Sequence, residues 1–227
     1  MITDPKSWGL ALLFGVIPSL LWLWFWLKED KKKEEPKGLL TLIFLAGMGG
    51  VILVLPIQKF IQGLVSGEGG QIILWASAEE IIKLLGVLFV LYGSTHLDEP
   101  LDWPIYMMTG ALGFAALENT LFLVKPIALN DVTVGLLTGQ LRYLGSTLLH
   151  AVASGTIGVA LGLSFHLAPA LKKTYIFFGI LFAIALHSVF NFFIMKNSGG
   201  NFLEVLAVLW VVTIIMMLLF EKLRRMS

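Results

Sequence analysis

Seven apolar runs, each long enough to cross a bilayer, constrain this chain more than any other feature. A helix needs about 20 apolar residues to span the hydrocarbon core. Charged clusters and Gly, Pro and Asn residues delimit the runs, which cover residues 8–27, 39–62, 71–95, 104–125, 134–166, 175–195 and 203–221. The predicted fold class is therefore all-α, a polytopic transmembrane helix bundle of about seven spans.

The composition supports a membrane protein and excludes several other classes. Hydrophobic residues make up 57% of the chain and charged residues 14%, against about 45–50% and about 25% in soluble domains. The longest polar stretch is only 28–37, so residues 1–227 are expected to form a single membrane domain with lipid as its surroundings. A net charge of +1 predicts no nucleic-acid partner. With no cysteine, thiol catalysis and Cys-ligated metal sites are excluded.

The distribution of basic residues predicts the orientation. Cytoplasmic loops carry an excess of Lys and Arg. Ten such residues lie on one side of the predicted spans and four on the other: Lys28, Lys31, Lys32, Lys33, Lys37, Lys172, Lys173, Lys222, Arg224 and Arg225, against Lys6, Lys59, Lys125 and Lys196. We expect a protein of the cell (plasma) membrane with its N-terminus outside and its C-terminus in the cytoplasm.

Seven ionisable residues lie well inside the predicted spans, where charge is costly. They are Glu79, Glu80, Lys83, Glu118, Arg142, His150 and His187. Each unpaired charge at the bilayer centre costs about 2.5–3.5 kcal/mol on insertion scales. Packing alone needs only small residues, so this set indicates a functional site.

The depths of these residues place them in one layer. At 1.5 Å rise per residue, Glu79 and Glu80 lie about 12–14 Å below the outer end of their span. Glu118 comes out at about 10 Å and His187 at about 12 Å below the same surface. Both acids of the pair can reach Lys83, which follows them by three and four positions. The sequence thus predicts a polar active-site layer in the outer half of the membrane.

Two kinds of hydrolytic chemistry fit these residue types. A carboxylate can act as a general base on water, while the imidazole of His187 and the amide of Asn191, one turn apart, can donate to an oxyanion. A divalent metal such as zinc is the alternative, because Glu and His are suitable ligands. The candidate metal ligands are Glu80, Glu118, His150 and His187.

The polar residues also carry a resemblance to a known family. The segments SAEEIIK at 77–83, GFAALEN at 113–119 and HSVFN at 187–191, with Arg142 and His150 between them, are similar to the motifs of the PrsW family of intramembrane proteases. The resemblance covers a motif-bearing core, residues 71–195. It implies an intramembrane endopeptidase that cuts single-span membrane proteins, such as anti-sigma factors, near the outer membrane face.

PrsW is similar in turn to the CAAX prenyl protease superfamily, with its Glu-Glu, Phe-x-x-x-His and His-x-x-x-Asn motifs. That likeness implies a water-activating base in the Glu79-Glu80 pair and orienting or oxyanion groups in His187 and Asn191. Glu118 stands where the prenyl proteases have His. The predicted catalytic residues are Glu79, Glu80, Glu118, His187 and Asn191, supported by Lys83, Asn119, Arg142 and His150. The serines at 146, 154 and 188 are interpreted as helix-packing residues.

Two other function classes remain open on the sequence alone. Buried Glu, His and Lys residues also mark ion pathways, so a proton- or ion-coupled transporter is one alternative, although the chain shows no inverted repeat of the kind found in transporters. A non-catalytic scaffold that binds a partner span through the same polar layer is the other.

Overall fold

A computed structural model describes residues 4–28, 34–129, 132–196 and 202–226, without the side chains of 132–144, 194–196, 202 and 205. Within these ranges the chain forms seven helices, so the predicted all-α fold is confirmed. They are α1 (Pro5–Leu27), α2 (Lys37–Leu64), α3 (Glu68–Leu91), α4 (Asp102–Ala128), α5 (Val132–Leu163), α6 (Pro169–Lys196) and α7 (Phe202–Arg224).

The helices have the length and the surface of membrane spans. Six of the described helices are long and apolar enough to cross a bilayer, and α3 differs from them by carrying Glu79, Glu80 and Lys83. Large apolar side chains point outward, among them Phe60 at 67% exposure and Phe89 at 82%. Such a surface is costly in water and suited to lipid. The chain is therefore an integral membrane protein.

Helix α4 is the central element, and glycine lets its neighbours approach closely. It contacts α1, α2, α3 and α5, and most of its residues are buried. A Cβ atom built on Gly113 would lie 2.0 Å from the carbonyl oxygen of Phe44 on α2. On α5, a Cβ at Gly158 would lie 2.4 Å from Cα of Pro104. Small residues at such contacts are the usual basis of packing between membrane helices.

The connection 92–101 returns the chain from α3 to α4. Gly93, just after the end of α3, has φ +74°, a left-handed conformation that suits glycine and stops a helix. The Asp102 carboxylate then accepts hydrogen bonds from the main-chain N–H groups of Asp98 (2.8 Å) and Glu99 (2.7 Å). Helix α3 also contacts α2, α5 and α6, so its acids face side chains from several helices.

Candidate active site

The acid pair of α3 is buried and lies next to the lysine that follows it. Glu79 and Glu80 are 3% and 0% exposed, and Lys83 is 1% exposed. The Lys83 Nζ lies 2.7 Å from Glu80 Oε1 and 3.9 Å from Glu79 Oε2. The predicted contacts at i+3 and i+4 are therefore present, with the shorter one to Glu80.

Histidines from two other helices complete the cluster. On α6, His187 places Nδ1 2.8 Å from Glu80 Oε1 and Nε2 3.5 Å from Glu79 Oε2. On α5, His150 places Nδ1 2.7 Å from Lys83 Nζ and Nε2 2.9 Å from Glu118 Oε2 on α4. The two imidazole rings are 5.0 Å apart and nearly perpendicular. Four helices thus bring their ionisable groups together, which was the main geometric expectation from the sequence.

Ser154 belongs to this cluster, and its interpretation as a packing residue is wrong. Its hydroxyl donates a hydrogen bond of 2.6 Å to Glu80 Oε2. Ser154 follows His150 by one turn of α5, so both side chains face α3. Glu80 consequently accepts hydrogen bonds on both oxygens, from Lys83 and His187 on one and from Ser154 on the other.

A further partner comes from α2, which lies outside the predicted motif-bearing core. The amide of Gln58 donates a hydrogen bond of 2.9 Å from Nε2 to Glu79 Oε1. The sequence does not single out this residue, because a glutamine near the end of a span, beside Lys59, is typical of a membrane boundary. Its contact with Glu79 is visible only in the packed structure.

Three other predicted residues stand in different positions. Asn191 is half-buried, and its side chain makes no hydrogen bond to the residues that the structure describes. Asn119 is buried, and its Nδ2 donates a hydrogen bond of 3.0 Å to Thr147 Oγ1. This bond connects α4 to α5 beside the cluster. The side chain of Arg142 lies outside the described residues.

The hydrogen bonds indicate which atoms of the cluster remain open. An ammonium group only donates, so Nδ1 of His150 accepts the hydrogen bond from Lys83. The N–H of the His150 ring is therefore on Nε2, which faces Glu118. His187 likewise donates from Nδ1 to Glu80, which leaves the lone pair of Nε2 facing Glu79 Oε2. That oxygen is buried and has no hydrogen-bond partner in the part of the chain that the structure describes. Such an orphan costs about 1–3 kcal/mol.

Ligand atoms of three residues in this cluster fit a divalent metal ion. Glu79 Oε2 and His187 Nε2 are open, whereas the His150 nitrogens are hydrogen-bonded to Lys83 and Glu118. One ligand atom from each of Glu79, His150 and His187 lies within 4.8 Å of the others. Two His and one Glu are a known catalytic zinc set, with bonds of about 2.0–2.2 Å, so tetrahedral ligand atoms lie about 3.4 Å apart. The 3.5 Å between Glu79 Oε2 and His187 Nε2 matches that spacing. Glu80 and Glu118 accept from the other imidazole nitrogens, as carboxylates behind metal-bound histidines do.

Comparison with known proteins agrees with this geometry. The family model described as PrsW family intramembrane metalloprotease matches residues 35–219. The Protease PrsW of Geobacillus kaustophilus is 31% identical over 206 residues, which cover 86% of each chain. That of Clostridioides difficile is 27% identical over 81% of this chain and 78% of its own, and that of Bacillus subtilis 28% over 82% and 83%. No solved structure matches the chain.

Proposed function

Because the chain belongs to the PrsW family of intramembrane metalloproteases, it is a membrane-embedded hydrolase of peptide bonds, and we propose that Glu79 is the acid that activates the water. The observation that carries this proposal is the buried Oε2 of Glu79, which has no hydrogen-bond partner among the described residues and faces Nε2 of His187 at 3.5 Å. A water molecule needs polar partners of this kind in order to be held.

The two acids of the pair then have different roles. Glu80 has Lys83, His187 and Ser154 on its oxygens, and we assign it the positioning of those side chains. Glu79 keeps one oxygen open, so it can orient the water and draw its proton away. The hydroxide oxygen adds to the carbonyl carbon and forms a tetrahedral oxyanion. The carbon–nitrogen bond then breaks as the proton taken up by Glu79 passes to the leaving nitrogen.

We also propose that this site can hold a metal. Glu79, His150 and His187 are the residues that would hold it, with Glu80 and Glu118 orienting the two imidazoles. When bound, a divalent ion such as zinc would polarise water and the substrate carbonyl, and Glu79 would then serve as one of its ligands instead of contacting the water itself. For His150 to present Nδ1 to the ion, Lys83 has to turn away from its present 2.7 Å contact while it keeps its bond to Glu80.

The substrate we propose is a single-span membrane protein of the anti-sigma-factor type, cut near the outer membrane face. A buried site within a helix bundle suits a substrate that is itself in the bilayer. Asn191 follows His187 by one turn of α6, and its amide is not engaged with the described residues. We assign it the donation of a hydrogen bond to the oxyanion that forms on the substrate carbonyl.

The direct test of the function is cleavage of co-expressed single-span reporter proteins. We expect wild type to shorten a reporter, with product termini that map inside its span near the outer end. Glu79→Gln, which keeps the shape and removes the charge, should lower cleavage by about 10²–10⁴-fold. Glu68→Gln, an exposed acid of the same helix, is the matched control. Cleavage by Glu79→Gln at the wild-type rate would overturn the role of Glu79.

The orientation, with an outer N-terminus in the plasma membrane, is testable because the chain has no cysteine. Single cysteines can be placed at Ser66, between α2 and α3, and at Thr95, between α3 and α4; both positions are exposed. In intact cells a membrane-impermeant maleimide should label Ser66→Cys and leave Thr95→Cys unlabelled. The opposite pattern would contradict the proposed orientation.

A further inference from the structure

Gln58 connects α2 to the open acid of the site by two hydrogen bonds. Its side-chain amide donates to Glu79 Oε1 at 2.9 Å. Its main-chain carbonyl oxygen accepts a hydrogen bond of 3.1 Å from Nε1 of Trp75. Trp75 lies one turn before Glu79 on α3. Gln58 itself is half-buried. It lies at the edge of the cluster, and its side-chain Nε2 points towards Glu79.

The side-chain bond determines which way the Glu79 carboxylate turns. The terminal torsion of a glutamate is broad and roughly two-fold, so nothing in the side chain itself distinguishes its two oxygens. Lys83 Nζ, 3.9 Å from Oε2, would attract the carboxylate if it were free to rotate. With Oε1 held by Gln58, Oε2 is directed at Nε2 of His187.

We propose that Gln58 is a positioning residue that keeps Glu79 Oε2 directed into the reaction centre. This inference rests on the proposed role of Glu79 and adds a residue from α2 to the site. An amide suits the task because it donates a hydrogen bond without adding charge. A lysine in its place would put a second ammonium group beside the carboxylate.

The packing of α2 does not depend on this side chain. The bond from Trp75 ends on the main chain of Gln58 and survives any change of its side chain. One and two turns earlier on α2, Val54 and Val51 pack with Phe114. A loss of activity after substitution of the Gln58 side chain would therefore report on Glu79 and not on the docking of the helix.

The test compares Gln58→Met with Gln62→Met, an exposed glutamine one turn further along α2. Methionine keeps the length and apolar bulk and lacks the donor. We expect Gln58→Met to lower kcat for a single-span reporter by about 10–100-fold, the usual effect of losing an orienting partner. KM should stay near wild type, and the thermal unfolding midpoint should fall only slightly, by the loss of one hydrogen bond to a buried acid. Gln62→Met should match wild type in all three quantities.

A second variant keeps the inference testable if Gln58→Met does not accumulate. Gln58→Asn retains the amide on a shorter side chain that cannot reach Glu79, and it should lose kcat in the same way. If either variant retains wild-type kcat while Glu79→Gln is inactive, the role of Gln58 is overturned and the proposed function stands. If Glu79→Gln is itself fully active, the proposed function fails. A fall in kcat only in proportion to folded protein would assign Gln58 a structural role and also overturn the inference.

Discussion

The proposed active site and the polar cluster near the start of α4 both contain buried acids, but the hydrogen bonds to these acids differ. The second, which we call the loop cluster, consists of Glu35, His96, Asp102 and Tyr106. The Tyr106 hydroxyl donates to the Glu35 carboxylate and lies 2.6 Å from the main-chain oxygen of His96. Asp102 accepts two main-chain N–H groups. None of the described buried atoms without a partner belongs to this cluster.

The active site, by contrast, draws side chains from five helices and leaves one acid oxygen open. Lys83 and Ser154 engage Glu80, while no described side chain donates a hydrogen bond to Glu79 Oε2. A buried acid whose oxygens are all matched by donors holds a fold together. A buried oxygen that stays open has a cost of about 1–3 kcal/mol, and under the proposed function it is the atom that holds a bound water or metal. The contrast predicts that changes in the two clusters have separable effects on activity and stability.

Removal of a metal is expected to have the largest effect on the active site and none on the loop cluster. A strong chelator should abolish reporter cleavage by the purified enzyme, and added zinc should restore it, because Glu79, His150 and His187 form a metal-ligand set. Bound metal, measured by elemental analysis, should fall in His187→Ala and not in His166→Ala, an exposed histidine. Full activity of a metal-free enzyme would show that Glu79 holds the water directly.

Glu80→Gln should separate the two acids of the pair. Glu80 compensates the buried ammonium group of Lys83 at 2.7 Å, and breaking a buried pair typically costs about 3–5 kcal/mol. We therefore expect a large fall in the thermal unfolding midpoint as well as lost cleavage. Glu79→Gln should lose cleavage with little change in stability. Equal unfolding midpoints for the two variants would contradict this division of roles.

The ionisable residues of the cluster could be predicted from the sequence, whereas two of their neutral hydrogen-bond partners, Ser154 and Gln58, could not. Glu79, Glu80, Lys83 and His187 are conspicuous within apolar runs because each costs free energy there unless it is paired. Helix spacing and span direction then place them at one depth. The order of their motifs also indicated the PrsW family, which the comparisons confirm.

Ser154 and Gln58 were not predictable, since neutral polar residues are cheap in membrane helices and occur widely at packing contacts and span ends. Sequence spacing places Ser154 on the same face as His150, but it does not show that Glu80 lies opposite. The tilt and rotation of α2 that bring Gln58 to Glu79 depend on contacts between helices. Such contacts are known only once the bundle is packed.

Ser154→Ala should have a moderate effect on activity. The change removes one donor from Glu80, which keeps Lys83 and His187. A hydrogen bond to a charged group contributes about 1.5–3 kcal/mol, so we expect kcat to fall roughly 10-fold. Ser164→Ala is the control, because that buried hydroxyl donates to the main-chain oxygen of Leu161. Equal effects of the two changes on kcat would remove Ser154 from the site.

Tyr106→Phe should have the smallest effect on activity. It changes the loop cluster and leaves the proposed active site intact. The variant loses only the hydroxyl that contacts Glu35 and the main chain of His96. We expect the free energy of unfolding to fall by about 1–3 kcal/mol, while kcat per folded molecule stays at the wild-type value. Asp102 and Tyr106 of the loop cluster lie in the first two turns of α4, and Glu118 lies in its second half. A fall in kcat as large as that of Ser154→Ala would therefore show that α4 transmits strain between the clusters. The two clusters would then form one functional unit, and their different ways of satisfying buried acids would no longer separate activity from stability.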